Sequence, residues 1–253
     1  MLWKRTARPL TIRFGAKTDV GRVRSENQDD YGRFPEMRAE RDGDQLFVVA
    51  DGMGGHEDGG RASRTAIEAA REAYFAEPDG PVEERLRRAF EAANLRVYEQ
   101  AHTGATPKKM GTTCTALALK DAGAYLAHVG DSRAYLINRR GISQLTRDHT
   151  LVDALRREGV LTEAEAERHP QRHALVRAIG IERGVEVDVR QLDPPAVGDA
   201  YLLCSDGLAR VSSAEIRDIV RADTPQQAAE RLVDLANERG GHDNVTVLVV
   251  KIE

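Results

Sequence analysis

The sequence has 253 residues, of which 41% are hydrophobic, 31% charged and 5% aromatic, with a formal net charge of −4. This length accommodates one large domain with a substantial core, and the composition excludes a disordered chain. No basic run with interleaved aromatics occurs and no apolar stretch reaches the length of a bilayer, so neither a nucleic-acid groove nor a membrane span is expected.

Residues 1–10 carry Lys4, Arg5 and Arg8 with no apolar run behind them, which predicts a cytoplasmic protein. Residues 11–16 read as a strand, and 45–50 (QLFVVA) as a buried strand running into Asp51. After the glycine-rich turn 52–60 come two helices, about 61–76 and 82–101, split by Pro78, Gly80 and Pro81 and expected to pair antiparallel. Short strands follow at 112–119, 124–129, 133–137 and 142–145. The turns 121–123 and 139–141 join them into an antiparallel meander.

The polar segment 148–184 holds short helical pieces, one opened by Thr162 and Glu165 as a capping box, and carries His149, His169 and His173. Strands are expected near 185–192 and 200–204. Ser212 with Glu215, and Thr224-Pro225 with Gln227, announce two further helices, the second stopping at Gly240, before a last strand at 245–252. The meander connections are too short for parallel crossovers, so two antiparallel sheets covered by helices is the economical arrangement. The two cysteines, Cys114 and Cys204, lie in apolar strand-like segments; they read as core residues in a reducing compartment.

The informative pattern is an apolar strand that runs into an aspartate beside a glycine. It occurs at Asp51-Gly52, Gly130-Asp131 and Asp206-Gly207, and Asp243-Asn244 leads into the final strand. A single Asp-Gly is an ordinary turn dipeptide. Several such carboxylates brought together raise one another's pKa unless a cation compensates, and oxygen-only donors favour Mg2+ or Mn2+ over zinc. Near the start, Arg24 lies five residues before Asp29, and its planar fork suits two phosphate oxygens.

Taken in order, VRSENQDD, VADGMGGHEDGG, MGTTC, HVGDSRAYL, LTRDHT, HPQRHALVRAIG, YLLCSDGL and GHDNVTVLVV resemble the successive motifs of the metal-dependent protein phosphatases, the type 2C serine/threonine family, in its compact bacterial form. The resemblance implies an α+β fold: a four-layer αββα sandwich of two antiparallel sheets flanked by helix pairs, forming a single domain over 1–253 with a core of about 10–252 and a flap at about 148–184. It implies that Asp51 bridges two Mn2+ or Mg2+ ions, that the Gly52 carbonyl binds the first, and that Asp206 and Asp243 bind the second. Asp29 would support that shell, Asp131 would share a third, weaker ion with Asp206, and Arg24 would hold the substrate phosphate. The implied reaction is hydrolysis of phosphoserine and phosphothreonine in proteins by a metal-bridging hydroxide, without a covalent phosphoenzyme. The implied partners are phosphorylated proteins, with a cognate serine/threonine kinase and its substrates, and the implied state is a monomer.

Two departures from the family pattern stand out. Met53 occupies the place of a histidine that protonates the leaving oxygen in some relatives, which leaves the general acid unassigned between His56 and a metal-bound water. Gln28 replaces a glutamate, and His173 falls where bacterial relatives approach the third ion. Two rival readings remain. Cys204 and Arg210 have the five-residue gap of cysteine-dependent phosphatases, but without a glycine-rich cradle. A catalytically silent member that binds phosphoproteins or scaffolds a kinase is the other; retention of Asp51, Gly52, Asp206, Asp243 and Arg24 argues against it.

Overall fold

The computed structural model describes residues 11–35, 43–54, 58–103 and 110–253. Eleven strands are assigned there: β1 (Ile12–Asp19), β2 (Asp29–Phe34), β3 (Gln45–Gly54), β4 (Met110–Thr112), β5 (Cys114–Lys120), β6 (Gly123–Val129), β7 (Arg133–Asn138), β8 (Gly141–Gln144), β9 (Asp188–Gln191), β10 (Ala200–Cys204) and β11 (Val245–Ile252). They form two antiparallel sheets, one ordered β1-β11-β10-β7-β8 and the other β2-β3-β5-β6-β9, with β4 paired to β3. The helices are α1 (Asp58–Ala76), α2 (Val82–Ala101), α3 (Leu151–Arg157), α4 (Glu163–Arg168), α5 (Ser213–Ala222) and α6 (Pro225–Glu238).

Alternation along the strands explains the layering. In β3, Leu46, Val48 and Ala50 join the cluster made with α1 and α2, whereas Phe47 and Val49 point the other way into the layer between the sheets. In β11, Val245, Val247 and Val249 pack with α5 and α6, and Leu248 and Val250 meet Phe47 and Val49 in the middle layer. Ala62, Ala66, Ala69, Ala70 and Tyr74 on α1, and Leu86, Ala89, Phe90, Ala93 and Val97 on α2, recur at helical spacing and cover one sheet. The four-layer αββα arrangement follows from these three cores.

Local signals set the helix ends. Thr162, Ser212 and Thr224 each accept from the backbone three residues on, and Glu165, Glu215 and Gln227 complete three capping boxes; Pro225 occupies the first turn of α6. Two expectations need correction. The predicted meander is divided: β5 and β6 lie in one sheet, β7 and β8 in the other. The chain changes sheet at Gly130, whose φ of +112° is a left-handed value and whose added Cβ would meet Thr113 at 2.6 Å. In addition, residues 29–34, where the sequence pattern predicts no element, form β2 and pair with β3.

Candidate metal centre and phosphate cleft

The carboxylates gather where strands from both sheets end. Asp51, on β3, faces Asp29 of β2 in register. The Asp51 backbone is fixed on both sides: its N–H donates to Thr113 Oγ1 at 2.9 Å, and its carbonyl accepts from Thr113 N–H and Thr112 Oγ1, each at 2.9 Å. Gly52 donates to the Gln28 carbonyl at 3.1 Å. A Cβ on Gly52 would lie 2.1 Å from the Gly59 carbonyl oxygen, so only glycine lets the start of α1 come this close.

From the opposite sheet, Asp206 follows β10 in a short 3-10 turn (Asp206–Leu208), and Asp243 precedes β11. Asn244 acts as a bracket. Its Oδ1 accepts from Gln28 N–H at 2.8 Å, and its Nδ2 donates to the Val20 and Glu26 carbonyls, each at 2.9 Å. The loop carrying Arg24 is thereby held against Asp243, and Arg24 Nη2 donates to Asp243 Oδ2 at 2.7 Å.

Asp29 is buried, with its two oxygens in different roles. Oδ2 accepts from Ser205 Oγ at 2.6 Å and from Thr246 Oγ1 at 2.8 Å. Behind Thr246 stands a relay in which Asn27 Nδ2 donates to Thr18 Oγ1 at 2.8 Å and Thr18 and Thr246 hydroxyls meet at 2.7 Å. Because Thr246 gives its hydrogen to the carboxylate, Thr18 donates to Thr246, and every hydrogen in the chain points toward Asp29. Asp29 Oδ1, buried, has no hydrogen-bond partner. An orphaned carboxylate oxygen of this kind costs free energy unless something positive meets it.

The electrostatics agree. Burial, then the neighbouring carboxylates, raises Asp29 to about 7 and Asp131 to about 7, and burial with Asp29 and Asp206 pushes Asp51 well above the carboxylate range. One cavity of about 830 Å3 is lined by Arg24, Asp51, Gly52, Asp131, Asp206 and Asp243. Asp29 lies behind this wall. Among the described residues no three His, Cys, Asp or Glu side chains close into a ready-made cage. The carboxylates of Asp51, Asp131, Asp206 and Asp243 and the Gly52 carbonyl offer oxygen donors along the cavity, a chemistry that fits Mg2+ or Mn2+ with water completing the shell and does not fit a structural zinc site.

Residues 21–245 match the family described as Protein phosphatase 2C. The chain belongs to that family. The phosphatase is 36% identical over 241 residues to the serine/threonine phosphatase stp of Listeria monocytogenes, covering 93% of this chain and 94% of that one. Among solved structures, its fold matches the Mycobacterium tuberculosis serine/threonine phosphatase PstP/Ppp with a TM-score of 0.83 and 37% identity, over 96% of this chain and all of that one. It also matches the catalytic domain of PstP in complex with 2 manganese ions, with a TM-score of 0.80 and 36% identity, over 96% and 99% of the two chains.

Other expected positions in the phosphatase divide. Met53 and Gln28 both line the cavity, and so does His173, whose Nδ1 lies 3.5 Å from Asp206 Oδ2. His56 lies outside the described residues. The predicted flap supplies one wall, through His173, Leu175, Val176, Arg177, Ala178 and Ile181 among others. Cys204 is 2% exposed and its thiol is pushed up to about 12, chiefly by burial, so it is no nucleophile. The sequence reading missed the hydroxyls of Thr18, Ser205 and Thr246 and the bracket of Asn244. Their signal was present only as small polar residues inside or beside strands, and their partners lie up to 228 positions away.

Proposed function

We propose that the phosphatase hydrolyses phosphoserine and phosphothreonine in proteins with two divalent cations, Mn2+ or Mg2+. Asp51 and the Gly52 carbonyl would hold the first ion, and Asp51, Asp206 and Asp243 the second. Asp29 backs this shell through its unpartnered Oδ1, and Asp131 with Asp206 offers a place for a third ion. When bound, such ions would supply Lewis acidity, the chemistry that lowers the pKa of coordinated water toward neutrality. Arg24 gives one Nη2 hydrogen to Asp243; the other, side by side with either Nε–H or Nη1–H, forms a fork for two phosphate oxygens. That fork orients the phosphoryl group and offsets its charge, which is the main demand on a protein in phosphoryl transfer.

The observation that carries this reading is the convergence of Arg24, Asp51, Asp131, Asp206 and Asp243 on one cavity. Phosphorylated proteins are the substrates, and a cognate serine/threonine kinase with its targets is the expected setting. Two buried free cysteines suit a reducing compartment, and we read the location as the cytoplasm. We read the chain as one domain and a monomer. The test is hydrolysis of p-nitrophenyl phosphate and of a phosphothreonine peptide with Mn2+, with and without EDTA, beside Asp243→Asn. Turnover that EDTA abolishes and the variant lacks is the expected result. Peptide binding without turnover in any divalent metal would leave a phosphoprotein-binding protein instead.

A further inference from the structure

The cavity is larger than the reaction needs. At about 830 Å3 it could enclose a drug-sized ligand, and a phosphoryl group with its ions occupies only a part of it. On the flap side the lining includes an apolar shelf, set among the charged or polar side chains of His173, Arg177, Glu182 and Glu186. Val176 and Ile181 are 57% and 51% exposed, and both face the cavity beside Met53, Leu175 and Ala178. Large apolar side chains held open to water in a cleft mark a surface awaiting a partner.

The shelf is built, not draped. Asn94 of α2, 1% exposed, accepts from Gly180 N–H at 2.8 Å and donates to the Glu182 and Arg183 carbonyls, each at 3.0 Å. Ile179 is fully buried and exchanges two backbone hydrogen bonds with Thr112 of β4, at 2.9 and 3.0 Å. Gly180, at φ +85°, sits so close to Val97 that a Cβ would lie 2.2 Å from a Val97 methyl. Ile181 in turn covers Gly111. At the other end, Val176 N–H donates to the His149 carbonyl at 2.9 Å. Both apolar side chains thus stand on backbone fixed to the sandwich, which lowers the entropy lost when a ligand docks. Glu26 and Glu182, both exposed, line the same cavity and form no ion pair among the described residues.

Resting on the reading of this cavity as the phosphatase site, we propose that the shelf formed by Val176 and Ile181 is a subsite for the substrate residue flanking the phosphorylated one. It takes a large apolar side chain, and the free carboxylates of Glu26 and Glu182 favour lysine or arginine further along the peptide. Preferred substrates are therefore phosphoserine or phosphothreonine segments with apolar flanks and nearby basic residues.

The test compares two phosphothreonine peptides that differ only in leucine or serine at both positions flanking the phosphothreonine, with Mn2+. Wild type should favour the leucine peptide about tenfold in kcat/KM, the scale on which an apolar pocket discriminates. The double variant Val176→Ser, Ile181→Ser should bring that ratio close to one, and Val176→Ser alone should lower it part of the way. Because the readout is a ratio, loss of folded protein cancels. A ratio near one in wild type, or one unchanged in the double variant, overturns the subsite. Failure of wild type to turn over either peptide or p-nitrophenyl phosphate would sink the phosphatase reading and the subsite with it; turnover without preference sinks the subsite alone.

Discussion

Acid should destabilise the phosphatase through His128, and the size of the effect can be worked out from its surroundings. The ring is 1% exposed. Its Nε2 is 2.9 Å from the Arg147 carbonyl, which can only accept, so Nε2 carries the hydrogen; Nδ1 then accepts from Thr115 Oγ1 at 2.9 Å. The His149 ring lies 4.7 Å away, centroid to centroid. Burial first, and then His149, lower the His128 pKa from 6.5 to about 3. The unfolded chain therefore binds a proton near pH 6.5 that the folded chain refuses until about pH 3. Its contribution is complete above the unfolded pKa and is lost as pH falls, at about 1.4 kcal/mol per pH unit, or about 2 kcal/mol by pH 5. Asp29, Asp51 and Asp131, with raised pKa values, work in the opposite direction. The informative quantity is thus the stability difference between wild type and His128→Gln, from urea unfolding with chelator at pH 7.5 and pH 5.0. That difference should shrink by about 2 kcal/mol on acidification. A difference independent of pH would refute the argument.

Other perturbations test the site. Arg24→Ala should lower kcat/KM for a phosphopeptide about a hundredfold, with Arg24→Lys recovering only part, since a point charge replaces a fork. Gly52→Ala places a Cβ against backbone oxygens of Gly59 and Gln28, at 2.1 and 2.6 Å; calorimetry should show Mn2+ binding lost and urea melts a cost of about 1–3 kcal/mol. Thr246→Val removes one of the two hydroxyl donors to Asp29, and Mn2+ affinity should fall about tenfold by calorimetry. Cys204→Ala should keep its activity, and iodoacetamide should leave the native thiol unmodified; inactivation by either would revive a thiol mechanism.

What the sequence revealed and what it hid have a common physical basis. The alternation of β3 and β11, the capping boxes of α4, α5 and α6, and the aspartates at strand ends are local signals, readable within a few residues. β2 was hidden because its segment, DDYGRF, mixes carboxylates, glycine and arginine. It is a strand through its pairing with β3, which is also what sets Asp29 opposite Asp51. The division of the meander was hidden because the short link 130–132 between β6 and β7 reads like a hairpin turn, although it carries the chain from one sheet to the other. Asn244 and the hydroxyls around Asp29 act across separations of 176 to 224 residues, and no window along the chain displays such partners.

The Asn244 bracket has a consequence for biosynthesis. Arg24 and Asp29 leave the ribosome long before the groups that hold their loop and strand, Asn244 and Thr246, whose contacts span 218 and 217 residues. β1 likewise has β11 as its sheet partner. A nascent chain halted before residue 243 would lack part of the proposed cation shell and the clasp that brings the guanidinium alongside it. Catalytic competence should therefore switch on late and all at once, and ribosome-stalled intermediates should neither capture Mn2+ nor strip phosphate from neighbouring proteins.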